Sequence, residues 1–546
     1  MYQIVIVLII VFLIIYSNYI NKKNKKKLLI SIEENWGRPK KNENYNFNSI
    51  QKYFINNLNE NAFHVVSDRT KEDVDLDELF KYIDRTSSKV GQQYLYYKIR
   101  VIQNKDKNIL FNKLVQLFEE DENVRIKCQI ILSKLNSYDS YDLEELINRD
   151  FIKSRYVKYL VPLAITSFLA ILLGVFYHEF LLLIIPVFIV NLILHFKNKD
   201  NINSLISAVN QLKISLKVSK ELLKIKKIIN LFPDTLFVDD VSEVSFKTKF
   251  IAFQRHLAND IMTIFWYIVE LLKVFFNLEA IIFHSFIDSI IKRNNSINEL
   301  FKFIGIIDIA ISTVSVKSSN TTCSPEFSEG KLMEFEELIH PIIENCVSNS
   351  IILDKNSLLL TGSNMSGKTT FIRTIAINSI LAQTLNFAFA KKFKIPFFKI
   401  YSSIRVSDNL LSNTSYYLQE VLVIKELIEA SESTAPCLFI LDEIFKGTNT
   451  IERISGGKAI LSYLNNTNHF VLVSTHDIEL TVLLNNNNFD LYHFTESIEN
   501  NNLYFDHKLK KGILKERNAI RILELYNYPK NIIEDAQSVK KTLDGK

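Results

Sequence analysis

Residues 357–370 constrain the fold of this chain more than any other stretch. Ser357-Leu358-Leu359-Leu360 is a short apolar run that leads without a linker into Thr361-Gly362-Ser363-Asn364-Met365-Ser366-Gly367-Lys368-Thr369-Thr370, and the spacing from Phe371 onward is helical. A GxxxxGK[ST] loop between a buried strand and a helix has a mechanism built into it. The glycines let backbone N–H groups converge on one point, and the helix N-terminus adds its positive end there. The pattern predicts a phosphate cradle: Gly362, Ser363, Asn364, Met365, Ser366 and Gly367 form the loop, Lys368 reaches the β and γ phosphates, and Thr369 and Thr370 open the helix. The Thr369 hydroxyl is the expected Mg²⁺ ligand, so ATP and Mg²⁺ are the ligands implied.

Two later apolar runs end in chemistry. Leu438-Phe439-Ile440-Leu441 closes on Asp442-Glu443, and Val471-Leu472-Val473 closes on Ser474-Thr475-His476. A carboxylate at the C-terminal end of a strand beside such a loop reaches the metal, which assigns Mg²⁺ to Asp442 and leaves Glu443 to orient or deprotonate the attacking water. His476 alone reads as structural; behind the other two motifs it reads as a sensor of the γ-phosphate. From Leu332 onward, short buried strands alternate with helical stretches, which predicts a parallel α/β sheet.

These residues resemble a known family. GSNMSGKTT at 362–370 looks like the Walker A loop of the MutS mismatch-repair ATPases, with their Asn-Met pair. DEIFKGTNT at 442–450 is similar to the family's Walker B strand end and following loop, and STHDIELT at 474–481 to its switch-histidine segment. His340-Pro341 and Asn349 stand where the family has a His-Pro pair and a nucleotide-proximal Asn. Asp408-Asn409-Leu410, Ser415 and Glu420 resemble the segment whose serine touches the partner subunit's nucleotide. Arg517-Asn518-Ala519-Ile520 through Tyr528-Pro529 resembles the C-terminal helices that pair in the dimer. By the same resemblance Phe327 is the aromatic that stacks on adenine, and Ser415 acts on a neighbour's ATP. The likeness is specific over about 325–540 and looser over 62–316. It implies a P-loop NTPase domain of MutS type preceded by an all-α core and lever domain, a nucleotide-closed homodimer, and duplex DNA as a partner.

The departures are equally specific. Asn413 and Phe445 occupy positions that are usually glycine in the family. The first sixty residues read as anchor and linker and leave no room for a mismatch-reading domain with its Phe-x-Glu wedge. Phe327-Ser328-Glu329 matches those three letters but lies beside the ATPase domain. DNA binding without mismatch preference is the expectation, through phosphate contacts from a cluster such as Lys217, Lys220, Lys224, Lys226 and Lys227, a cluster that also reads as a plain solvated helix face.

Apolar blocks set the rest of the organisation. Residues 4–15 are uninterrupted Ile, Val, Leu and Phe, the apolar character extends to Ile20, and Lys22, Lys23, Lys25, Lys26 and Lys27 follow. That order predicts an uncleaved anchor at 1–20 with the N-terminus outside, then a basic juxtamembrane linker at 21–61. Two further apolar blocks at 159–176 and 180–196, separated by Tyr177-His178-Glu179, predict a transmembrane hairpin within a helical region at 62–330. Lys153, Arg155 and Lys158 before the hairpin, and Lys197 and Lys199 after it, put both its ends in the cytoplasm together with the ATPase domain at 331–546. The expectation is thus a multi-pass membrane protein held by three helices. A fourth apolar stretch, 261–286, carries Glu270, Lys273 and Glu279 and reads as a soluble helix, because such charges are expensive in lipid.

Composition excludes little beyond this. A net charge of +5 over 546 residues does not announce a nucleic-acid binder, and four scattered cysteines with no CxxC pair suggest neither zinc nor a disulfide framework, in keeping with a reducing cytoplasm. An ABC transporter ATPase is a rival, since Ile454-Ser455-Gly456-Gly457-Lys458 resembles its signature, but here that segment follows the Walker B strand instead of preceding it. A second alternative is an ATP-switched membrane scaffold that binds a protein partner in place of DNA.

Overall fold

The structure is a computed structural model that describes residues 2–41, 43–57, 61–151, 156–252, 271–363, 365–405, 416–465, 468–485, 487–499, 502–514 and 519–544. The chain divides into two compact units. One comprises residues 1–58, 84–97 and 109–316, the other 59–83, 98–108 and 317–546. The division is not a single cut near residue 330, because two pieces of the helical region belong to the unit that carries the phosphate loop.

The first unit is helical. Helix α1 (Tyr2–Glu34) begins in the apolar block and continues through the lysine cluster. The 21–61 segment is therefore not a plain linker: its first part is helical, and further on Ile50 and Tyr53 are fully buried. The cause is aromatic packing, since the Tyr53 ring stacks on Phe301 at 4.2 Å and its hydroxyl donates to Asn298 at 2.8 Å. Helix α2 (Val157–Gly174) and the first part of α3 (Ile184–Leu223) form the apolar hairpin. Among the described residues two helices are long and apolar enough to cross a membrane, Val157–Gly174 and His178–Lys199, where three were expected. The second span and the amphipathic stripe after it are one continuous helix, with Leu205, Val209, Leu212 and Leu216 buried as their spacing predicts. Further along lie α4 (Leu236–Ala252), α5 (Leu278–Lys292) and the largely buried α6 (Asn294–Ser318). On α6 the Asp308 carboxylate accepts hydrogen bonds from the Ser87 and Ser88 amides, both at 2.8 Å. Residue 91 must be glycine for this approach, because a Cβ there would lie 2.1 Å from Asp308 Oδ2.

The second unit holds two larger sheets. Strands β1 (Glu326–Ser328), β2 (Leu332–Leu338), β3 (Asn349–Asp354) and β5 (Lys392–Pro396) form a four-stranded sheet in the order β1-β5-β2-β3. Strands β4 (Ser357–Thr361), β6 (Lys399–Ser403), β7 (Cys437–Asp442), β8 (Phe470–Thr475), β9 (Phe489–His493) and β10 (Lys510–Lys511) form a six-stranded sheet in the order β10-β9-β4-β8-β7-β6. All its pairings are parallel except β9 with β10. Every residue of β4 and β8 is buried, which is why these strands read as continuous apolar runs and not as alternating ones. The early segments are joined to this sheet through polar groups: Asp73 accepts from the Ser402 hydroxyl at 2.6 Å and the Arg405 amide at 2.7 Å. Leu76, Leu79, Phe80 and Ile83 bury one face of the helix Leu76–Ile83, as their spacing predicts.

Candidate nucleotide site

The site is assembled where parallel strands end. Strand β8 lies between β4, which feeds the loop, and β7, which ends in Asp442. The acidic strand is thus one place removed from the loop strand, and the end of β8 supplies the connection. Gly362, Met365 and Gly367 have φ of 148°, 69° and 112°, so the loop turns through the left-handed region three times before α7 (Lys368–Leu385) begins. A Cβ on Gly362 would come within 2.8 Å of both the Phe494 carbonyl and the Ser366 hydroxyl, which explains the glycine. Ser363 donates to the buried Glu496 carboxylate at 2.6 Å and fixes the loop from the far side.

Lys368 lies at the centre. Its ammonium donates to the Gly362 and Ser363 carbonyls at 2.8 and 2.9 Å and is 3.3 Å from His476 Nε2. Burial pushes its pKa down, opposed by Asp442, Glu443 and Glu496. The Thr369 hydroxyl donates to Asp442 Oδ2 at 3.0 Å, so the two expected Mg²⁺ ligands are adjacent, and Ser474 hydrogen-bonds the other carboxylate oxygen. His476 Nε2 is also 3.0 Å from Glu443 Oε1. That hydrogen bond, helped by Lys446, holds the Glu443 carboxyl down at about 2. One ring nitrogen cannot donate to Glu443 and accept from Lys368 at once, so His476 sits at a branch point between the two.

Backbone strain accompanies this chemistry. Glu443 and Phe445 have φ of 56° and 60°, a region that side chains rarely adopt. Phe445 therefore keeps the conformation that glycine favours at this position. The next motif is a helix cap: the Asn449 side chain accepts from the Glu452 amide at 3.0 Å and opens α8 (Thr450–Leu464). Gly456 and Gly457 lie inside α8 facing Phe445 and Leu480, so the stretch that resembles an ABC signature is the middle of a helix and not a phosphate-facing loop.

A cavity of about 460 Å³ opens beside the loop, of the size that small-molecule sites occupy. Ser363, Met365 and the 367–371 segment form one wall; His340, Ile343, Cys346, Val347, Phe494 and His507 complete it. Phe327 is not among the lining residues. Its ring packs on Phe397 at 5.4 Å with the Lys105 ammonium over it at 5.4 Å. Sequence reasoning missed His507, whose Nδ1 lies 3.0 Å from the Ser366 carbonyl. Asn349 holds that segment, donating to the His507 carbonyl at 3.0 Å and accepting from the Leu509 amide at 2.7 Å. Glu420 is buried and accepts from the Lys446 amide at 3.1 Å. Asn364, Asp408, Asn409, Leu410, Asn413, Ser415, Arg517 and Asn518 lie outside the described residues.

Residues 358–544 match the family profile of MutS domain V. Over that stretch the chain is similar to MutS proteins. Its relatives include the DNA mismatch repair protein MutS of Staphylococcus haemolyticus (strain JCSC1435), 32% identical over 254 residues that make up 44% of this chain and 28% of that protein. The protein of the same name from Listeria monocytogenes serotype 4b (strain CLIP80459) is 31% identical over 260 residues, 46% of this chain and 30% of the relative. That of Staphylococcus aureus (strain JH9) is 31% identical over 278 residues, 48% and 31% respectively. The chain thus spans less than a third of the length of these MutS proteins. The MutS domain V match begins within β4 and takes in the phosphate loop, Asp442, Glu443 and His476.

Proposed function

We propose that this MutS-like chain binds and hydrolyses ATP with Mg²⁺ at the 362–370 loop, closes as a homodimer around nucleotide, and works at the cytoplasmic face of a membrane with duplex DNA as its partner. The observation that carries the ATPase reading is the convergence of Lys368, Asp442, Glu443 and His476 on one loop. Lys368 neutralises phosphate charge, and the loop amides at the start of α7 orient the phosphates. Thr369 and Asp442 would hold Mg²⁺, with Ser474 fixing the carboxylate; the ion, when bound, offsets the charge that develops on the transferred group. Glu443 orients the attacking water. At a pKa of about 2 it is a weak proton acceptor, and it becomes a stronger one once His476 turns its N–H elsewhere. His476 thereby links water activation to whatever occupies the space beside Lys368.

The dimer is supported by the C-terminal helices Ala519–Leu525 and Lys530–Asp544, where Ile532, Val539 and, in the turn between them, Tyr526 are exposed. Membrane attachment is supported by the hairpin, whose Ile165, Phe168, Ile185 and Ile193 are each at least half exposed, whereas the core of a water-soluble unit would cover them. The DNA reading rests on the names of the relatives and on the exposed lysines of α3. The decisive experiment is the ATPase rate of the purified protein with and without matched or G·T-containing duplex. Stimulation by duplex supports the whole reading. Hydrolysis indifferent to DNA would leave an ATP-switched protein with another partner, and no hydrolysis would remove the ATPase assignment.

A further inference from the structure

Within the helical unit, one face of an apolar span is polar. Asn191, His195 and Asn198 recur at intervals of four and three along α3, which puts them on one stripe of the segment His178–Lys199. All three are buried, although that segment exposes most of its surface. What buries them is the chain at 271–292. The Asn277 amide donates to Asn191 Oδ1 at 2.6 Å, and the Asn191 amide donates to the Phe275 carbonyl at 2.8 Å and to the Ser167 hydroxyl of α2 at 3.1 Å. One turn along α3, His195 Nδ1 is 3.8 Å from Glu279 Oε2, each side chain 7% exposed. Another turn along, Asn198 Oδ1 pairs with His284 Nε2 at 3.1 Å and accepts from Tyr156 at 3.0 Å.

The register gives direction. Asn191 meets Asn277 and Asn198 meets His284, seven residues later on both helices, so α5 runs parallel to the second span for two turns. At Asn277 the backbone is left-handed, with φ 50°, and it separates a helical stretch at 271–275 from α5. Of the three charges that argue against insertion, Glu270 lies outside the described residues, and Lys273 and Glu279 are buried at 6% exposure each, while Leu271 and Leu272 present 54% and 47% of their surface outward. Asn277, Glu279 and His284 face α3 while Leu271 and Leu272 face away, the arrangement that intramembrane ionisable residues adopt.

We propose that residues 271–284 are a membrane-embedded element, a broken helix that lies in the lipid alongside the hairpin, is keyed to it by the Asn191–Asn277 and His195–Glu279 pairs, and reaches the cytoplasmic edge at the Asn198–His284 pair. The occupant of its outward face is lipid acyl chain, because α5 packs on both α2 and α3, whose exposed Ile165, Phe168, Ile185 and Ile193 are apolar like Leu271 and Leu272. The inference rests on the membrane reading of the hairpin and extends it to a segment whose charges disguise it.

The test uses the full chain in sealed liposomes with a hydrophilic maleimide on both sides, labelling being located by peptide mass spectrometry so that the native cysteines do not interfere. Leu271→Cys and Leu278→Cys probe the segment, Ile165→Cys and Ile185→Cys the hairpin, and Glu299→Cys the aqueous phase. The expected result is labelling at 271 and 278 at least tenfold slower than at 299 and equal to that at 165 and 185. In water Leu271 is exposed enough to react freely, so slow labelling there reports lipid and not a protein core. Fast labelling at 271 and 278 with the hairpin protected would overturn the embedded segment alone. Fast labelling at all four would overturn the membrane reading of the hairpin, and this inference with it.

Discussion

The phosphate-loop region and the apolar hairpin both bury polar groups, and they satisfy them in opposite ways. Around Lys368 the partners are unlike charges at the ends of parallel strands, and several contacts compete: His476 has two claimants, and Lys368 is held by carbonyls of its own loop. Around Asn191 and Asn198 the partners are neutral amides, hydroxyls, a backbone carbonyl and an imidazole, all held at a fixed register between the helices. Competition suits a site that must exchange partners during a reaction, whereas matched pairs suit a junction that must hold. Changes in the first region should therefore alter chemistry while sparing the fold, and changes in the second should weaken packing while sparing chemistry.

The largest effects are expected at the loop. Lys368→Ala should abolish measurable ATP binding, and Glu443→Gln should bind ATP with unchanged affinity while turnover falls by about 10²–10³. Nucleotide titration and single-turnover hydrolysis separate the two. Equal ATP affinity in Lys368→Ala and the parent would break the comparison at its root.

Next in size is the pH response of the second unit. Burial pushes both His64 and His340 down to about 4. Because these imidazoles hold fewer protons folded than unfolded, stability is fully present above about pH 6.5 and is lost as pH falls toward 4, by on the order of 3 kcal/mol for each. The urea midpoint of nucleotide binding by the full chain should drop over this window. His64→Gln, which keeps a donor toward the Ile400 carbonyl, should flatten the slope. A midpoint independent of pH between 7 and about 4 would show that neither ring is held neutral.

Smaller again is Ser474→Ala. It removes the hydrogen bond to Asp442 without touching the loop, so the Mg²⁺ concentration for half-maximal turnover should rise about 10- to 100-fold with ATP affinity little changed. An unchanged Mg²⁺ requirement would mean that Thr369 alone orients the carboxylate.

The same contrast explains what could be read from sequence. The loop, Asp442-Glu443 and His476 were legible because each is a contiguous strand-to-loop word whose spacing alone implies its chemistry. The cavity walls were legible only in part: the resemblance marks His340 and Asn349, whereas nothing local marks Phe494 or His507. The strand between the loop and the acidic strand is a matter of sheet order, which local pattern does not encode. Helix spacing identified the buried stripe of α3 but not its continuity with the span.

The smallest expected effect sharpens the comparison most. Asn191→Leu and Asn277→Leu each leave one amide without the other, and the double variant removes both. If the pair is a matched junction, each single change destabilises and the double change recovers part of the loss. The coupling between buried polar groups on membrane helices is about 0.6 kcal/mol on average, and at most about 1.7 kcal/mol. Thermal unfolding of the full chain in detergent, followed by exposure of Cys128 in the same unit, measures it. ATP turnover at low temperature should be the same in all four proteins, because nothing in this pair touches the loop. Additive losses would mean that the two amides act separately and that their 2.6 Å approach does not hold the helices together. A change in turnover without a change in stability would be the more damaging outcome, since it would show that the junction takes part in the chemistry that the comparison assigns to the other region.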